Sequence, residues 1–134
     1  VTEATLASAP HRPSVSLVLL ALIFCVGGIM HFVAPASYLR IMPAWLPSPL
    51  LLVYVSGLAE ILGGLGLLLP STRAVAGWGL ILLLIAVFPA NVQMLESARA
   101  AHASRLWIAL LVLRLPLQPA LMHWVWRAAV RDPS

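Results

Sequence analysis

Glu60 stands near the centre of an apolar segment, residues 50–69, that is otherwise free of charge, and Arg114 interrupts a second such segment. A carboxylate can hold a cation, accept hydrogen bonds or carry a proton; a guanidinium can hold an anion or donate to a carbonyl. In hydrocarbon such an ion costs on the order of 3 kcal/mol or more, so it faces a bundle interior and finds a partner there. His31, Asn91 and Gln118 interrupt apolar stretches in the same way. The candidate ligand-binding set is therefore His31, Glu60, Asn91, Arg114 and Gln118. Its expected centre is a Glu60–Arg114 pair across the bundle, with the other three completing a hydrogen-bonded pocket. The plainer alternative is a buried ion pair that only fixes helix register.

Other chemistry is poorly supplied. His31 and Glu60 alone fall short of the three or four ligands a metal site needs, and no metal is expected. Asp132 is the only aspartate and lies in the tail, so a Ser-His-Asp arrangement is unsupported, and no catalytic residue is assigned. Cys25 is the only cysteine, which excludes an internal disulfide and a C-x-x-C redox pair. His123, beside Trp124 and Trp126, reads as an interface anchor, and His102 as a solvated loop residue.

The elements that position the five residues follow from composition. The chain is 62% hydrophobic and only 9% charged, with a mean hydropathy of +1.01. A water-soluble domain of this length would carry about 25% charged residues. The class that fits is an integral membrane bundle, because about 20 apolar residues cross the bilayer as a helix. All 8 basic residues are arginines, mostly scattered near segment ends, where they meet phosphate headgroups; no basic stripe with interleaved aromatics points to nucleic acid.

Four spans are expected, at about 14–33, 49–69, 74–95 and 105–127, in one all-α, antiparallel up-down bundle. Residues 1–13 read as a disordered lead-in. The first apolar run exceeds the roughly 7–15 residues of a signal peptide and is taken as a span. Between the first two spans, residues 34–48 hold Pro35, Pro43 and Pro47 with Tyr38 and Trp45. That composition predicts an interfacial loop with a short helix at about 36–42, whose rings sit at the headgroup level and serve as a lid. Residues 96–104 read as a polar loop. Arg12, Arg73, Arg127 and Arg131 on one face, against Arg40, Arg99 and Arg105 on the other, place the termini in the cytoplasm.

At about 1.5 Å per residue from the face holding the 34–48 loop, His31 and Asn91 lie roughly 5–6 Å deep and Arg114 and Glu60 roughly 14–16 Å deep. All are thus reached from one face. Gly57, Glu60 and Gly64 share a helix face, as do Gly27, Gly28 and His31. Small residues let backbones approach in lipid, so these faces point inward. Arg114 and Gln118 project together, beside Pro116 and Pro119, which free backbone carbonyls.

Several stretches together resemble the DoxX-like family of small four-helix membrane proteins. They are Gly28-Ile-Met-His31-Phe, Pro43-Ala-Trp-Leu-Pro47, Ser56-Gly-Leu-Ala-Glu60-Ile-Leu-Gly-Gly64, Phe88-Pro-Ala-Asn91 and Arg114-Leu-Pro-Leu-Gln118. The resemblance implies a bacterial inner-membrane protein and, through relatives named as subunits of thiosulfate:quinone oxidoreductase, an accessory role in a membrane redox system. A quinone or similar amphiphile is the ligand it brings with it. Expected partners are the bilayer, a redox partner subunit and, as an option, further copies of the chain. The competing readings are a small proton-coupled transporter built on Glu60 and a scaffold without activity of its own.

Overall fold

The computed structural model describes residues 12–132; most of the lead-in, residues 1–11, lies outside them. The described chain is helical throughout its long elements: α1 (Val15–Val33), a short α2 (Pro35–Leu39), α3 (Pro49–Leu68), α4 (Arg73–Ala100) and α5 (Arg105–Val125). The last continues into a π-helical turn, Trp126–Arg131. Four helices are long and apolar enough to cross a membrane, the fourth running from Arg105 to Arg131. The all-α, four-span architecture expected from hydropathy is the one observed.

Local chemistry sets the boundaries. Ser14 Oγ accepts from Leu17 N at 3.4 Å, and Ser104 Oγ from Trp107 N at 3.2 Å, capping α1 and α5. Pro49 occupies the first turn of α3, where its missing N–H costs nothing. The turn after α3 folds back on that helix: Thr72 Oγ1 donates to Gly66 O at 2.9 Å and Arg73 Nε to Leu67 O at 3.0 Å. Arg73 is buried there, not turned toward headgroups.

One boundary differs clearly from expectation. Residues 96–100 continue α4, because Glu96, Ser97, Ala98, Arg99 and Ala100 are compatible with a helix leaving the membrane. The stop is a Schellman closure: Ala103 N bonds to Ala98 O and His102 N to Arg99 O, with His102 in the left-handed region at φ 50°. The short helix α2 also starts and ends earlier than 36–42, opening on Pro35.

In packing order α1 lies on α3, α3 on α4 and α4 on α5. At the end holding residue 14 and the π-helical turn, Leu17, Leu20, Phe24, Leu67, Leu80, Leu84, Val125 and Ala129 form a closed apolar core. Trp124 Nε1 donates to Ser16 Oγ at 3.3 Å across the same end. Beyond it α1 and α5 stand apart, and the polar residues gather in that half.

Candidate functional site

The α1–α3 seam comes first because it fixes two of the five residues. A Cβ added at Gly28 would lie 2.5 Å from Gly57 O, and one at Gly57 would lie 2.6 Å from His31 Cβ. The two backbones are therefore in direct contact, as the small-residue faces predict. Gly27 makes room for the carboxylate, since a Cβ there would stand 2.8 Å from Glu60 Oε2.

At this seam His31 Nδ1 lies 2.9 Å from Val53 O. A carbonyl only accepts, so Nδ1 carries hydrogen and Nε2 is left facing Glu60 Oε1 at 3.7 Å. With a proton on either atom the two attract; without one, two acceptors face each other. Histidine, not arginine, thus makes the closest ionic approach to Glu60. The expected Glu60–Arg114 contact is not made: no approach within 4.0 Å joins them among the described residues.

Gln118, buried on α5, donates from Nε2 to Leu84 O and accepts from Asn91 Nδ2 at 2.6 Å. The carbonyl it uses belongs to α4, not to the turns opened by Pro116 and Pro119. This chain fixes the amide of Asn91 and leaves its Oδ1 for the cavity. Arg114 is exposed, and its hydrogen bond is to the Met94 thioether at 3.8 Å.

Two cavities meet at this group. The first, about 80 Å³, is lined by His31, Tyr38, Ser56, Glu60, Asn91 and Arg114 with apolar neighbours, and lies under α2. The second, about 240 Å³, has walls from Ile23, Phe24, Leu84, Leu117 and Leu121 and a polar end made by Glu60, Asn91, Arg114 and Gln118. Glu60, Asn91 and Arg114 line both and form the partition between them.

Residues 20–129 match the model of the family described as Domain of unknown function (DUF8561). The chain belongs to this family. No curated protein and no solved structure matches it. The matched stretch takes in the second and third spans, most of the first and fourth, and each of the five polar residues.

The ring of Tyr38 covers His31, with centroids 3.9 Å apart and planes inclined by 31°. Burial pushes its phenol pKa above the usual value, the Glu60 charge adds to this, and Arg114 opposes it. Trp45, grouped with Tyr38 in the expected lid, is 72% exposed and borders a separate groove. Its ring does not line the cavity.

Ser56 is a lining residue that the sequence reading missed, although it stands one helical turn before Glu60 on the same face. The Val53 carbonyl and the Met94 sulfur carry no comparable signal. Among the described residues, no group of three or more His, Cys, Asp or Glu side chains is placed to hold a metal.

Proposed function

We propose that this multi-pass membrane protein is an accessory subunit of a membrane redox system and that its intramembrane pocket holds a quinone-like amphiphile. The observation carrying this reading is the pairing of a polar cavity with an apolar-walled cleft across one partition of Glu60, Asn91 and Arg114. A quinone calls for both. Its ring prefers apolar walls, its carbonyls accept hydrogen bonds, and its reduction takes up protons. Arg114 is the donor placed to reach a ring carbonyl, and the His31–Glu60 couple is the proton-carrying element beside it. At about 240 Å³ the cleft falls below the roughly 300–1,000 Å³ of sites that enclose a drug-sized ligand, which suits one ring with its tail outside. The DoxX-like resemblance supports the redox role and a bacterial inner membrane, and the arginine distribution supports cytoplasmic termini.

The test is lipid extraction and mass spectrometry of the protein purified from native membranes. A quinone near one per chain is expected, and loss of it in Arg114→Leu. A wild-type extract no richer in quinone than a control membrane protein overturns the reading.

The position of Glu60 favours a second reading, a proton-coupled transporter. A carboxylate locked to a guanidinium carries protons poorly, and Glu60 has no such contact. Proton uptake by proteoliposomes along an imposed substrate gradient, abolished by Glu60→Gln, would select this reading over the first.

A further inference from the structure

We infer that the occupant of the larger cleft is a bilayer-dissolved amphiphile seated sideways: an oxygen-bearing ring against Arg114, and an apolar tail leaving between α1 and α5 into the acyl chains. This rests on the proposed amphiphile-binding function and adds the ligand's orientation and its doorway.

The first observation is the gap itself. The bundle closes in the order α1, α3, α4, α5, and among the described residues the first and last helices are tied together chiefly at the end carrying Ser16, Trp124 and the π-helical turn. The gap is walled by Ile23, Phe24 and Gly27 from α1 and by Leu117 and Leu121 from α5. Ile23 is 46% and Leu117 55% exposed, and each lies near the middle of its span. The mouth therefore opens on hydrocarbon, not on headgroups or water.

The second observation is Arg114. It lies nine residues into α5, about 14 Å from that helix's start, which is mid-membrane. It is exposed there and donates to a thioether, a weak acceptor. A guanidinium at that depth with no carboxylate in contact is costly, so an acceptor oxygen delivered into the cleft supplies a stronger hydrogen bond than the thioether does. Gln118 is unsuited to this role, because its amide is committed at both ends.

The third is the size of the alternative approach. The polar cavity under Tyr38 measures about 80 Å³, about half of the roughly 150 Å³ that encloses a benzene ring, so it holds water and not a substituted ring. It serves the aqueous side of Glu60, while the ring occupies the other side.

The experiment uses the full chain in phosphatidylcholine nanodiscs and a decyl-substituted benzoquinone as the probe. A version of the probe with a diazirine near the tail end is photolysed on wild-type protein, and labelled residues are mapped by mass spectrometry. Labels should fall on the lipid-facing surfaces of α1 and α5 around Ile23 and Leu117. In equilibrium binding, Ile23→Trp/Leu117→Trp, which narrows the mouth at exposed positions, should weaken the probe at least tenfold. Met42→Trp, on the loop side of the small cavity, should stay within twofold of wild type. Labels on residues 34–48, or the opposite order of the two variants, overturn the sideways seat while leaving the proposed function standing. Failure of wild type to bind the probe overturns both.

Discussion

Replacing Gly28 with alanine tests the packing on which the site depends. The added Cβ would lie 2.5 Å from Gly57 O, 2.7 Å from Ile61 Cγ1 and 3.1 Å from Glu60 Cβ. The nearest of these is backbone, so relief to an ordinary contact of 3.4 Å requires α1 and α3 to part by about 0.9 Å. His31 sits one turn further along the same seam, and a comparable shift carries its 2.9 Å contact with Val53 O out of hydrogen-bond range. Overpacking costs about 1–3 kcal/mol and a buried donor left unmade about 1–3 kcal/mol. Since the two overlap in one movement, the expected loss is about 2–4 kcal/mol. The control is Gly79→Ala, where the new Cβ meets nothing within 4 Å and the change should stay within about 0.5 kcal/mol. Reversible unfolding in mixed dodecyl sulfate micelles, followed by tryptophan fluorescence, gives both values. A Gly28→Ala protein as stable as wild type, or a Gly79→Ala protein equally damaged, refutes the contact between backbones.

Three further outcomes are expected. Gln118→Leu should destabilise by about 1–3 kcal/mol by stranding Asn91 Nδ2, whereas Asn91→Leu/Gln118→Leu should cost less than the two single changes added; additive losses in the same unfolding assay would count against their bond. Glu60→Gln should keep stability within about 1 kcal/mol, because its amide can donate to His31 Nε2, and nitrogen NMR of the imidazole should still show Nδ1 protonated; the opposite tautomer would contradict the Val53 contact. The Tyr38 phenol, isolated by subtracting a Tyr38→Phe absorbance titration, should ionise above about pH 10, since burial first and the Glu60 charge second hold its proton. The folded state then binds that proton more tightly than the unfolded chain, so its contribution is full below the unfolded phenol pKa and is lost as pH rises through the folded value; a midpoint at or below about 10 contradicts this burial.

The spans were readable because each is a long apolar run punctuated by Pro49, by the 70–73 turn or by Ser104. The end of α4 was not, because His102 adopts a left-handed conformation where glycine is the usual signal, and because Glu96 and Arg99 are as acceptable in a helix outside the membrane as in a loop. The five polar residues were legible as a group: Glu60, Asn91, Arg114 and Gln118 line the larger cleft, and His31 joins Glu60, Asn91 and Arg114 around the smaller cavity. Their pairing was not. Matching Glu60 to Arg114 used depth and a general inward orientation, neither of which says which helix faces which. The small residues supplied that missing information. Gly28 with His31, and Gly57 with Glu60, each share a face of their own helix, and two glycine faces that meet must bring their polar neighbours together. The close approach of α1 to α3 therefore implies His31 beside Glu60 and leaves Arg114, on the helix furthest from α1 in packing order, turned toward a gap that no helix fills.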